Sequence, residues 1–70
     1  MPYVNIKITD ENVTAEQKSE LIQQTTHMLL TVLNKDPATT FVVIDEVNTD
    51  NWGFKGASIT TLMQEKNTNN

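Results

Sequence analysis

The chain has 70 residues, a net charge of −4, no cysteine, no arginine and one histidine, His27. Disulfide frameworks and thiolate metal sites are therefore excluded, and a single imidazole leaves no histidine-rich metal centre. Nucleic-acid binding wants a clustered basic face, which five scattered lysines do not make.

A domain this short buries roughly 60% of the surface of its unfolded chain. With disulfides and metals set aside, self-association is the remaining way to stabilise it. The longest apolar run, Phe41-Val42-Val43-Ile44, is strand length. No membrane span or leader is expected, and the default is a soluble cytoplasmic protein.

Residues 3–9, YVNIKIT, alternate. Val4, Ile6 and Ile8 share one face of a strand; Tyr3, Asn5, Lys7 and Thr9 share the other. After the turn DENV comes a helix. Thr14 and Gln17 have the spacing of a capping box, and Glu16 and Glu20 sit where the helix dipole favours anions. Leu21, Ile22, Thr25, Met28, Leu29, Val32 and Leu33 form a broad apolar stripe. Asn34-Lys35-Asp36-Pro37 ends it, because Pro37 disfavours helical geometry at Asp36.

Residues 39–47, TTFVVIDEV, read as a second strand. Val42 and Ile44 share one face; Phe41, Val43, Asp45 and Val47 share the other. Strand, helix and strand predict a βαβ unit with parallel strands and a right-handed crossover. NTDNWGFKGAS is a loop or turn region carrying two large rings, Trp52 and Phe54. ASITTLM is expected as a final strand or hairpin arm, closing a single domain over 1–63, with 64–70 as a polar tail. One helix covers one sheet face. The face of Tyr3, Phe41, Val43 and Val47 is too apolar to leave in water, so sheet packing between subunits is expected.

Pro2 directly behind Met1 is the candidate catalytic residue. Methionine is trimmed before a small residue, which would leave a secondary amine on an ordered strand. An α-amino group titrates near ~7.7–8.0 in short peptides, and apolar surroundings lower that value. A base with a pKa near the working pH suits general acid–base catalysis. The plain alternative is a strand-starting proline. His27 has no acid at i+3 or i+4 and reads as a surface or boundary histidine. Asp45 and Glu46 are adjacent in a strand, so they face opposite ways and do not form an acid–base pair.

MPYVNIKIT, AEQKSELI, TTFVVIDEV and NWGFKG, in that order and at this length, resemble the 4-oxalocrotonate tautomerase family. The resemblance runs from Pro2 to about Ser58. It implies an α+β fold: a βαβ subunit with a short C-terminal hairpin, assembled through sheet packing as a dimer or hexamer. It also implies cofactor-free keto–enol tautomerisation of a small enol or keto acid, with Pro2 as general acid and base after Met1 removal. Trp52 matches the pocket aromatic and Phe54 an apolar pocket position. Thr39 or Thr40 would offer a polar contact to substrate.

The family's two arginines are absent. One position reads Asp10-Glu11-Asn12, and the other aligns with Phe41, an apolar ring on the substrate pocket. Lys55 stands where a glycine is more usual and is a candidate replacement cation; Lys7 is a weaker one. A pocket with at most one cation implies a monoacid or neutral enol, of phenylenolpyruvate type. The rival reading is a structural or binding oligomer that has lost catalysis. A Pro-dependent hydration or dehalogenation ranks last, since no residue stands out to activate water.

Overall fold

The computed structural model describes residues 1–68, with side chains through Glu65. Strand β1 spans Tyr3–Thr9 and strand β2 spans Phe41–Val47, and they pair in parallel with Tyr3 opposite Phe41 and Thr9 opposite Val47. Two further bonds lengthen the ladder: Phe41 N–H donates to the Pro2 carbonyl (3.0 Å) and Asp10 N–H to the Val47 carbonyl (2.8 Å). The second strand starts two residues later than the β-branched run suggests. Asp36 caps a 3₁₀ turn over Pro37–Thr39, its carboxylate accepting from Ala38 N–H at 2.9 Å. Proline at the first position suits such a turn, and it takes Thr39 out of the strand.

Helix α1, Ala15–Leu33, connects the strands. The capping box forms as the sequence predicts: Gln17 N–H donates to Thr14 Oγ1 (3.1 Å) and Thr14 N–H to Gln17 Oε1 (2.9 Å). Asn34 ends the helix in the left-handed region at φ 55°, where asparagine is tolerated. The helix covers the sheet face of Val4, Ile6, Val42 and Ile44, all half-buried. An ion pair from Lys18 to Glu46 crosses that contact. A helix is about 10 Å across, whereas two strands stand about 4.8 Å apart. The sheet is thus too narrow for the stripe, and Met28 and Val32 stay exposed, Val32 at 72%.

Beyond β2 the chain makes a 3₁₀ turn at Thr49–Asn51, then a hairpin of β3 (Gly53–Phe54) and β4 (Ala57–Ser58). Helix α2, Ile59–Thr68, follows at once. The expectation of a strand through ASITTLM therefore holds only for Ala57 and Ser58. Ser58 acts as a helix cap, its Oγ accepting from Thr61 N–H at 3.1 Å. Ile59, Leu62 and Met63 then fall at helical spacing. Residues 64–68 of the expected polar tail continue this helix; 69–70 lie outside the described residues.

The contacts fall into two groups. β1, α1 and β2 pack together; α2 packs on the 49–51 turn and on β4. Among the described residues none is buried. A compact monomer of this mass exposes roughly 4,400 Å² with a radius of gyration near ~11 Å. This chain exposes 5465 Å² and has a radius of gyration of 16.2 Å, over a longest dimension of 48 Å. Tyr3, Phe41 and Val43 stand open on the face away from the helix.

Candidate functional site

Pro2 is half-buried at the open end of the ladder, its carbonyl held by Phe41 N–H, while Met1 ahead of it is 88% exposed. The register puts the Tyr3 and Phe41 side chains side by side on the helix-free face. Thr39 and Thr40 arrive at the same end from the 3₁₀ turn. Their hydroxyls both donate to the Asp36 carbonyl, at 3.2 and 2.9 Å. What these threonines can offer a ligand is therefore acceptor lone pairs rather than a proton.

The other candidates lie elsewhere. Asn48 accepts from Asp50 N–H (2.8 Å) to shape the turn, and Thr49 and Thr60 share a hydroxyl bond of 2.5 Å that ties the turn to α2. Trp52 follows, half-buried, its carbonyl taking Ile59 N–H at 2.8 Å at the base of the hairpin. Phe54 is 57% exposed. Lys55 and Gly56 form the hairpin tip, with φ of 55° and 80°, the pattern of a type I′ turn. The Lys55 ammonium sits 5.4 Å from the centroid of the Phe54 ring.

So the six candidate residues form two groups: Pro2, Phe41 and Thr39 at the start of the parallel strands, and Trp52, Phe54 and Lys55 beyond their far end. Six strand steps separate Phe41 from Val47, roughly 20 Å of strand.

The helix-free face carries a polar cluster that the sequence pattern does not predict. Asn5 Nδ2 donates to Asp45 Oδ2 at 2.8 Å, and Lys7 pairs with the same oxygen at 3.6 Å. The Asn5 bond chiefly, with a lesser pull from Lys7, holds the Asp45 carboxyl below its ordinary value of 3.8. Asp45 and Glu46 do face opposite ways, Glu46 reaching Lys18 across the helix contact. Among the described residues no three acidic or histidine side chains gather as a metal site. Nor is any helix there long and apolar enough to cross a membrane.

A βαβ unit with an appended hairpin is the arrangement of known structures. The family model described as "Tautomerase enzyme" matches residues 2–62, and the chain belongs to the tautomerase family. It is 57% identical over 65 residues to a "probable tautomerase K2" of Dickeya dadantii, covering 93% of this chain and 97% of that one. The crystal structure of DmpI from Helicobacter pylori superposes with a TM-score of 0.83 at 43% identity, covering 90% and 97% of the two chains. A heterohexamer 4-oxalocrotonate tautomerase from Chloroflexus aurantiacus shares the fold, with a TM-score of 0.80 at 24% identity over 89% and 98%. Family membership supports isomerase chemistry of the tautomerase type.

Proposed function

We propose that the protein is a cofactor-free tautomerase in which Pro2, once Met1 is removed, carries a proton between oxygen and carbon of a small enol. The amine nitrogen takes the enol O–H proton as the carbonyl forms. The resulting ammonium returns a proton to the substrate carbon, so enol and ketone interconvert with no net gain or loss of atoms. The observation that carries this reading is the Phe41-to-Pro2 hydrogen bond, which ties the proline to the first rung of the sheet and leaves Met1 exposed to a processing enzyme. A proline so held would direct its lone pair in one direction.

The same geometry argues for self-association, as a dimer or hexamer. Roughly 20 Å of strand lies between Pro2 and the hairpin of its own chain, so Trp52 and Phe54 would close a pocket over the Pro2 of another copy. The open face with Tyr3, Phe41 and Val43 gives that copy an apolar surface to cover. Thr39 and Phe41 would line the pocket beside Pro2. An apolar pocket in a chain without arginine suits a monoacid or neutral enol, and a cytoplasmic setting suits such a substrate.

The test is ketonisation of simple enols, such as that of phenylpyruvate, by protein whose intact mass lacks one methionine residue. Pro2→Ala is expected to lower kcat/KM by about 10²- to 10⁴-fold. The wild-type rate should rise with pH through one ionisation at or below ~8, the range of an α-amino group. An unchanged rate in Pro2→Ala overturns the mechanism. A specific observation, the absence of arginine, favours a second reading: a scaffold of the same fold without catalysis. An amine-directed reagent separates the two, since a base whose pKa is lowered by its pocket reacts faster at neutral pH than an ordinary, mostly protonated amine.

A further inference from the structure

We infer that Lys55 of one copy binds the single carboxylate of a substrate held at the Pro2 of another copy, which makes the preferred substrate a monocarboxylate enol or keto acid. This rests on the Pro2 reading above and adds the residue that sets its charge selectivity.

Four observations on Lys55 converge. It occupies the first central position of the Phe54–Ala57 turn at φ 55°, where asparagine, aspartate or glycine is preferred. A lysine there carries a conformational cost that its side chain has to offset, and such residues cluster at functional sites.

Second, it has no carboxylate partner among the described residues. Among the described side chains Lys7 is paired with Asp45 and Lys18 with Glu46. Lys35 follows the carbonyl end of α1, where the helix dipole accounts for a cation. Lys55 has neither.

Third, the Lys55 ammonium stands over the Phe54 ring, within cation–π reach. Fourth, the chain contains no arginine. A lysine ammonium is a point charge that suits one carboxylate, and no guanidinium fork is present to hold another carboxylate in a bidentate way. The hairpin lies beyond the far end of the strands from Pro2, so the charge reaches the base only between copies.

The test uses K55N, since asparagine keeps the left-handed turn while removing the charge. With the enol of phenylpyruvate, K55N is expected to raise KM about 10- to 100-fold, the factor for losing a charged hydrogen bond, with kcat nearly unchanged. With the methyl ester of that enol, kcat/KM should not change, because no carboxylate is present. K35A should leave both substrates unaffected.

Mixed oligomers of differently tagged P2A and K55N chains, purified through both tags, should regain sites with wild-type KM, because an intact Pro2 and an intact Lys55 then meet. A KM unchanged in K55N, an equal loss with the ester, or mixed oligomers without such sites overturns the inference. Calorimetric binding of phenylacetate in the P2A background reads Lys55 without turnover. Weakening there by K55N supports the inference even if Pro2 proves not to be the base, and equal binding overturns it.

Discussion

Residues 3–47 and residues 49–68 are held by different means. The first are a seven-rung parallel ladder with a 19-residue helix laid along one face, extended at both ends by backbone bonds. The second are a hairpin of two rungs and a ten-residue helix, tied by short-range side-chain bonds at Asn48, Thr49 and Ser58. The first unit leaves an apolar sheet face open, and the second projects beyond the strand ends. Each lacks what the other offers: a ring-bearing hairpin on one side, an uncovered sheet end on the other. No described residue of either unit is buried within the single chain, and the proposed association of copies would bring the two together.

The largest expected effect comes from breaking the open face. Val43 stands in its middle, 41% exposed and opposite Asn5. Val43→Lys places a charge where a second copy would bury it, and the association constant should fall at least ~100-fold, about 3 kcal/mol. Sedimentation or light scattering across a dilution series measures it. Thr31→Lys, on the outer side of α1, should leave the oligomer intact. Equal behaviour of the two variants would mean the open face is not the contact.

A smaller pair of substitutions compares the two units directly. Thr14→Ala removes half of the capping box on α1, and about 1 kcal/mol of stability should go with it. That should appear as a global fall in melting temperature of about 4–8 °C. Ser58→Ala removes the corresponding cap of α2 and should cost about 0.5 kcal/mol. Its effect should be local: faster amide exchange within 59–68 and little change in α1. A global shift from Ser58→Ala as large as that from Thr14→Ala would show that the two units unfold as one.

These two caps also mark how far the sequence was legible. Thr14-x-x-Gln17 stands before a long 3.6-residue stripe, so cap and periodicity agree, and the helix was readable with its ends. Ser58-x-x-Thr61 spans Ile59, Thr60 and Thr61, β-branched residues that favour strands. There local propensity pointed one way, and the cap with Leu62 and Met63 the other. The alternation in β1 and β2 assigned each residue to a sheet face but left the register open, so Pro2 beside Phe41 is seen only in the structure. The separation of Pro2 from Trp52, Phe54 and Lys55 could not be anticipated either, because it depends on where β2 delivers the chain. The Asn5–Asp45 bond was hidden for a related reason: the two residues are 40 apart in the chain, and only the register brings them within reach.

That bond gives the smallest effect, and its sign is fixed by which state binds the proton. In the folded chain the Asn5 amide, and to a lesser degree Lys7, hold the Asp45 carboxyl below 3.8; in the unfolded chain it titrates at its ordinary value. Between those two values the unfolded chain carries more protons, so stability there rises with pH. The contribution is whole above the ordinary value and is lost as pH falls through the folded one. Wild-type protein should lose urea resistance below about pH 4, the ordinary carboxylate range, more steeply than Asp45→Asn, which has no proton to bind. Above pH 5 the two should run parallel. Asn5→Ala should return Asp45 towards its ordinary titration, and its curve should approach that of Asp45→Asn at the acid end. If wild type and Asp45→Asn fall together throughout, the cluster on the open face holds no favoured charge, and the register of the two strands rests on the apolar pairs alone.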